Sequence, residues 1–373
     1  MPPLGLYVHV PFCVRKCAYC DFASWPGRDA DMPRYADAVC SEIAARAAEC
    51  GHPAADTVFF GGGTPSVLPP ELFERIARTL REAFDLTPDT EWTVECNPGT
   101  LTQAFADTLA ACGVNRVSLG MQAAQEGLLK RLNRIHGMED VRQAVRMVRK
   151  AGIKRLNLDL MLGLPGQTMA DWQDTLQEAL ALAPQHISCY ALIVEEGTPL
   201  AGALARGEIS LPDEELERDM YGTARDILRA NGFHQYEISN FALQNEECRH
   251  NVNCWRREDY LGFGCAAHSL WQNVRRANPP DIEAYLRGDA PETERISPPD
   301  AMFESLMLGL RLTAGIDEAD FAARHGRQLW DVYGEKLASA LKDGRLVRRD
   351  GRVYLTEHGM DVMNSVLVEA MEE

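Results

Sequence analysis

Pro11-Phe12-Cys13-Val14-Arg15-Lys16-Cys17-Ala18-Tyr19-Cys20-Asp21-Phe22 places three thiols at the spacing C-x3-C-x2-C, directly after an alternating apolar segment, Leu4–Val10. Thiolates are the usual protein ligands of iron–sulfur clusters. Three of them on one short loop hold three irons of a [4Fe–4S] cube and leave the fourth iron free for a small molecule. A zinc loop is the competing reading. Zinc sites usually pair two C-x2-C-like halves to reach four ligands, and no second half of that form occurs. The expected metal site is a cluster on Cys13, Cys17 and Cys20.

Outward from this loop, β-rich runs at Leu4–Val10, 56–60, 91–95, 116–120, 155–161 and 186–193 alternate with amphipathic stretches at 33–50, 70–84, 101–112, 138–151 and 169–182. Such alternation builds a parallel sheet with right-handed crossovers. By itself it fits an open doubly wound sheet or a partial barrel. The strand ends favour the barrel, where C-terminal ends converge on one site. Cys13 follows the first run, Gly61-Gly62-Gly63-Thr64-Pro65 the second and Glu95-Cys96-Asn97-Pro98-Gly99 the third. Gln122 follows the fourth, and Asp159 with the Gly-rich stretch 163–168 closes the fifth.

The fold class expected is α/β: a partial (β/α)6 TIM-like barrel over 1–215, an extension over 216–295 and a small C-terminal α+β winged-helix-like domain over 296–373. Within the extension, 213–232 reads as a helix and 233–242 as a strand. Pro-rich pairs at 279–280 and 298–299 read as a linker. In the tail, 346–355 reads as a hairpin turning at Asp350-Gly351.

Bulk properties narrow the function. At 373 residues and 46% hydrophobic, the chain sustains one large domain and a smaller one. A net charge of −17 argues against general nucleic-acid binding, which needs a basic face. Over 301–373, nine Lys/Arg stand against thirteen Asp/Glu, a net of −4, so the winged-helix-like tail is also not expected to bind DNA. No run of about 18 apolar residues and no basic-then-apolar leader is found, which predicts a cytoplasmic protein. Eleven cysteines in such a chain point to a reducing compartment and metal chemistry.

With these features the chain resembles the radical S-adenosylmethionine (SAM) superfamily, whose cluster loop has an aromatic before the last cysteine, here Tyr19. Within it, the chain is similar to the branch of oxygen-independent coproporphyrinogen III oxidase and the HemW-type heme chaperones. The stretches carrying the likeness are Tyr7 to Cys13, Phe60 to Pro65, Glu95 to Gly99, Gly120-Met121-Gln122, Asn157 to Met161 and Tyr260 to Gly264.

The resemblance implies SAM on the free iron. Gly62, Gly63 and Thr64 match the motif that lets backbone approach its methionine end, because a side chain would block that approach. Tyr7, six residues before Cys13, matches a SAM-contacting tyrosine; its bland reading is a half-buried strand aromatic. Glu95 suits the ammonium or the ribose hydroxyls, and Arg134 suits the carboxylate. Gln122 and Asp159 match further polar positions. Asp159 sits in an apolar strand, where an unpaired carboxylate is costly. Ala191 is the expected backbone contact for the adenine.

The resemblance also divides the branch. The oxidase adds an N-terminal extension and a further cysteine just after the loop, whereas this chain continues Asp21-Phe22. The chaperones carry H-N-x-x-Y-W, and here the stretch reads His250-Asn251-Val252-Asn253-Cys254-Trp255, with cysteine in place of tyrosine. His250 is the candidate heme contact, since neutral imidazole suits iron; a hydrogen-bonded loop histidine and a Cys248–His250–Cys254 metal site stay open. The implied function is a heme chaperone carrying a SAM-bound cluster and serving client hemoproteins. The alternative is the oxidase of porphyrin biosynthesis. Monomer or homodimer, and docking to a membrane-bound respiratory chain, both stay open.

Overall fold

The computed structural model describes residues 3–371; Met1, Pro2, Glu372 and Glu373, at the ends of the expected first and last ranges, lie outside it. Six strands follow one another in parallel: β1 (Leu4–Val10), β2 (Thr57–Gly62), β3 (Glu91–Cys96), β4 (Arg116–Gln122), β5 (Arg155–Leu162) and β6 (His186–Ala191). Helices return the chain between them, including α1 (Met32–Cys50), α2 (Pro70–Ala83), α3 (Gln103–Ala111), α4 (Glu126–Arg131), α5 (Met138–Lys150) and α6 (Met169–Ala181). Each long helix buries an apolar stripe, as in Leu72, Phe73, Ile76, Ala77 and Leu80 of α2. Thr168 caps α6 by accepting from the Asp171 N–H, and the Asp171 carboxylate accepts from the Thr168 N–H, a capping box.

The sheet continues past these six strands. After α7 (Pro199–Ala205) and α8 (Glu214–Ala230), β7 (His234–Gln235) and β8 (Asn240–Ala242) add antiparallel to the β6 edge. The single strand expected over 233–242 is thus two short ones, because Glu237 Oε1 accepts from Ser239 N–H and Asn240 Nδ2 and turns the chain between them. On the other edge, β9 (Asp259–Phe263) lies parallel to β1, followed by antiparallel β10 (His268–Trp271), β11 (Val274–Ala277) and β12 (Glu292–Arg295). Between the two Pro pairs read as a linker lie a short helix, Ile282–Arg287, and the outermost strand, β12. These twelve strands form one sheet in the order β12-β11-β10-β9-β1-β2-β3-β4-β5-β6-β8-β7.

Between β8 and β9 the chain crosses from one edge of the six-strand unit to the other, beneath the strands' N-terminal ends. Helix α9 (Arg249–Trp255) lies in this crossing and packs on β1, β2 and β9. Residues 302–370 form a second core around Leu306, Phe321, Leu337 and Val353. Its sheet contains the expected hairpin, Leu346–Arg349 with Arg352–Leu355, turning through Asp350 and Gly351 at φ +52° and +73°. No described helix is long and apolar enough to cross a membrane.

Candidate cluster and cofactor site

The C-terminal ends of the strands surround a cavity of about 420 Å³. Cys13, Cys17 and Cys20 line it together, and none of the three is in a disulfide. The loop that carries them is pinned at several points. Trp25 N–H donates to Pro11 O at 2.8 Å, and His9 Nε2 donates to Ala23 O at 2.8 Å. The Ala18 N–H reaches Leu132 O, Ala18 O accepts from the Leu200 N–H, and Asn133 Nδ2 donates to Lys16 O. Because Ala23 O can only accept, His9 carries its proton on Nε2, and Tyr7 O–H donates to Nδ1 at 3.1 Å. Burial lowers the His9 pKa and keeps the ring neutral.

The glycine run is needed first by the fold itself. Gly62 has φ +102°, and a Cβ there would lie 2.3 Å from the His9 ring. A Cβ on Gly63 would lie 2.6 Å from Val10 O. The Gly63 and Thr64 N–H groups donate to Val10 O and Phe12 O, which ties the run to the start of the cysteine loop. Thr64 Oγ1 lies 3.4 Å from Cys13 Sγ.

Opposite stand the charged groups. Arg134 donates to Gly120 O at 2.8 Å and to Cys17 Sγ at 3.4 Å, while its buried Nε has no partner. Gln122 sits at a bulge in β4 with φ +65°, which turns it into the cavity. Burial, then the charge of Asp159, pushes the Glu95 carboxyl up to about 8. Burial also raises Asp159, against donation from Ser118 Oγ at 2.6 Å and Asn157 Nδ2 at 2.8 Å. Burial likewise raises the Tyr19 phenol and the Cys20 thiol.

The structure thus brings Cys13, Cys17, Cys20, Tyr19, Gly62, Gly63, Thr64, Glu95, Gln122, Arg134 and Asp159 to one cavity. Tyr7 stands behind His9, stacked on Phe59, and its phenol is raised by burial and then by Glu95. Ala191 pairs with Leu162 at the end of β6 with its side chain exposed; its neighbour Tyr190 is the residue that lines the cavity.

His250 is not brought there. It is 6% exposed on α9, at the opposite end of the strands, and stacks on Phe59 at 5.1 Å. Its Nδ1 lies 2.8 Å from Thr57 Oγ1, and its backbone N–H donates to Glu91 Oε1. Burial lowers its pKa to about 4. With α9 seated, the ring faces Thr57 and Phe59 rather than the cavity.

Among the described residues, no three His, Cys, Asp or Glu side chains converge to hold one metal ion, and this includes Cys248, His250 and Cys254. A cube takes each thiolate on a different iron, so three thiols that line one cavity without converging suit a cluster rather than zinc. The unpartnered Arg134 Nε and the close-packed glycine turn suit an anionic group beside it.

Sequence reasoning missed Ser118, Asn157, Ser188 and His186, which sit below Asp159 inside the barrel. The signal was present: Arg116-Ser118, Arg155-Asn157-Asp159 and His186-Ser188 put polar residues at every second strand position, one face of each strand. TIM-barrel interiors are instead dominated by Val, Ile and Leu.

Comparison with known proteins agrees with this geometry. Residues 7–179 match the Radical SAM superfamily model, and residues 296–362 match the HemN C-terminal domain. The chain is 35% identical over 370 residues to the heme chaperone HemW of Bacillus subtilis, covering 96% of this chain and 97% of that one. The chain belongs to the HemW family. To the HemW of Synechocystis it is 40% identical over 334 residues, covering 84% and 79% of the two chains. Among solved structures, coproporphyrinogen III oxidase (HemN) from Escherichia coli, a radical SAM enzyme, superposes with a TM-score of 0.85 over 99% of this chain and 90% of that one, at 24% identity. That likeness shows that this chain and HemN share a fold.

Proposed function

We propose that the chain is a heme chaperone that holds a [4Fe–4S] cluster on Cys13, Cys17 and Cys20, seats SAM on the free iron, binds heme at the cavity mouth and passes it to client hemoproteins. Cluster and SAM supply one-electron chemistry when bound. The chain's own residues hold and shield them. Arg134 takes the SAM carboxylate, and Glu95 the ammonium or the ribose hydroxyls. Gln122 and Asp159 supply the remaining polar contacts, and Gly62, Gly63 and Thr64 approach the methionine end through their carbonyls, since two of their N–H groups are used within the fold. Tyr7 holds the loop through His9, Tyr19 packs beside Arg134, and the Ala191 backbone lies toward the adenine.

The observation that carries the heme assignment is the composition of the mouth. Phe22 (60% exposed) and Tyr190 (39%) line the cavity and are two of the six large apolar residues exposed among the described ones; Val14 (61%) and Ile193 (68%) are exposed next to Cys13 and just past the end of β6 in the chain. Beside them stand Arg15 and Lys16, which form no ion pair among the described residues, in a chain of net charge −17. An apolar rim with adjacent cations matches a flat apolar ring that bears carboxylates.

The test is anaerobic. Reconstituted protein is titrated with heme, then mixed with an apo-hemoprotein, and coproporphyrinogen III conversion is assayed in parallel. Heme binding and transfer without protoporphyrinogen IX is the expected result; efficient conversion instead would assign the oxidase function. Arg15→Glu with Phe22→Ala is expected to weaken heme binding at least tenfold, and His250→Ala to leave it within twofold. The reverse ranking would move the heme site to α9.

A further inference from the structure

Below the cavity, an unbroken file of buried hydrogen bonds runs the length of the barrel interior. The backbone N–H of Cys248, the residue that starts α9, donates to Tyr236 Oη at 3.3 Å. Tyr236 Oη lies 2.9 Å from His186 Nε2, and His186 Nδ1 lies 2.6 Å from Asn157 Oδ1. Asn157 Nδ2 then donates to Asp159 Oδ1 and to Ser118 Oγ, and Ser118 donates to Asp159 Oδ2. The proton positions follow from chemistry. A carboxylate only accepts, so the Asn157 amide turns its NH2 toward Asp159 and its oxygen toward His186. His186 must then carry its proton on Nδ1, which leaves Nε2 to accept from the Tyr236 hydroxyl. Burial, and then Arg116, keeps this ring neutral. Every donor in the file points up toward Asp159, and Tyr236, His186, Asn157 and Ser118 are all buried.

The far end is equally fixed. Cys248 Sγ and the His250 N–H both reach Glu91 Oε1. The helix is gripped from outside by Arg311, whose guanidinium lies 4.3 Å from the Trp255 ring centre, and by Arg324, which donates to Arg256 O and Arg257 O.

We infer that Tyr236 and His186 are positioning residues that link occupancy of the cluster-end cavity to the seating of α9 at the opposite end of the barrel, through Asn157 and Asp159. This rests on the reading that SAM binds beside Asp159. A ligand that engages Asp159 fixes its carboxylate. That steadies the Asn157 amide and the His186 ring in the arrangement already described, and so strengthens the Tyr236 link that holds the first turn of α9. Linkage requires the reverse as well: loosening α9 weakens the cavity's hold on its ligand.

The experiment uses the full chain with its cluster reconstituted anaerobically. Hydrogen–deuterium exchange of peptides covering 248–255 is read with and without SAM, alongside SAM affinity by equilibrium dialysis. In the wild type, SAM is expected to slow exchange at 248–255 about fivefold or more. In Tyr236→Phe that slowing disappears and SAM binds about fivefold to tenfold more weakly. His186→Asn keeps a donor for Asn157 while cutting the link to Tyr236. It is expected to lose the slowing and to weaken SAM binding by the same factor as Tyr236→Phe, the equality that linkage requires and that general loosening would not produce. If Tyr236→Phe does not fold, His186→Asn carries the test. SAM binding with unchanged exchange at 248–255 in the wild type, or slowing preserved in either variant, would overturn the coupling. Absence of SAM binding to the wild type would overturn the cofactor reading and the coupling together.

Discussion

Replacing Glu95 by Gln tests whether burial and Asp159 hold this carboxyl protonated before any ligand arrives. The ordinary value of 4.5 describes the group in the unfolded chain, and about 8 describes it in the folded one. A raised acid binds its proton more tightly in the folded state. Its contribution is therefore most favourable below pH 4.5 and is lost as pH climbs through 8. At about 1.4 kcal/mol per pKa unit, the full penalty approaches about 5 kcal/mol, of which about 3 kcal/mol accrues between pH 6 and pH 9. Gln keeps the shape and cannot ionise. Urea unfolding of the cofactor-free protein at intervals from pH 6 to pH 9 should show the wild type losing about 3 kcal/mol more than Glu95→Gln over that span. Parallel curves for the two proteins would refute the claim that this carboxyl enters the folded state protonated. The same proton gives a second readout. If the SAM ammonium takes its place beside Glu95, binding below pH 8 releases a proton, and the apparent binding enthalpy then changes with the buffer's ionisation enthalpy.

The other expectations are simpler. Gly63→Ala puts a methyl 2.6 Å from Val10 O, a backbone atom held by the Gly63 N–H itself, so about 1–3 kcal/mol of stability should be lost in denaturant unfolding, and less iron–sulfur absorbance should be recovered on reconstitution. Cys17→Ser should fold with unchanged far-ultraviolet circular dichroism yet lose the brown cluster absorbance; retention of a full cluster would contradict the ligand set. Arg155→Met removes the cation 3.0 Å from the buried Glu91 and should cost about 3 kcal/mol, part of which returns in Arg155→Met/Glu91→Gln, as urea midpoints would show.

How much of this was legible in the sequence varied with the range of the interactions involved. The six parallel strands and the cysteine loop were readable because their signals are local: apolar runs bounded by glycine, and thiols three and four residues apart. The strand at Asp259–Phe263 was not, since Gly262 and Gly264 dilute its pattern and its partner β1 lies some 255 residues earlier. The turn at Gln272-Asn273, with φ of +51° and +59°, hides a hairpin behind residues that do not announce one as Asn-Gly does. Among site residues, Asp159 stood out as a carboxylate in an apolar strand, and Glu95 through the family resemblance. Ser118 and Asn157 look ordinary until the register sets them side by side. The histidine of the chaperone-like motif was legible as a motif, but not as a residue turned inward beneath Gly5 and Thr57.

The pairing of β1 with β9 has a consequence for the order of biosynthesis. The strand that leads into the cysteine loop leaves the ribosome well before its partner, and one of its two edges stays bare until residues 259–263 emerge. At the ordinary pace of translation that interval lasts tens of seconds. The helix beneath the barrel waits longer still, because Arg311 and Arg324, which grip it, lie 56 and 68 residues further along the chain than the Trp255 and Arg256 they hold. Through that interval the thiols sit on a half-built scaffold that is open from below. If these thiols carry the proposed cluster, nascent chains that stop short of residue 259 should release it, whereas chains that extend past residue 324 should keep it.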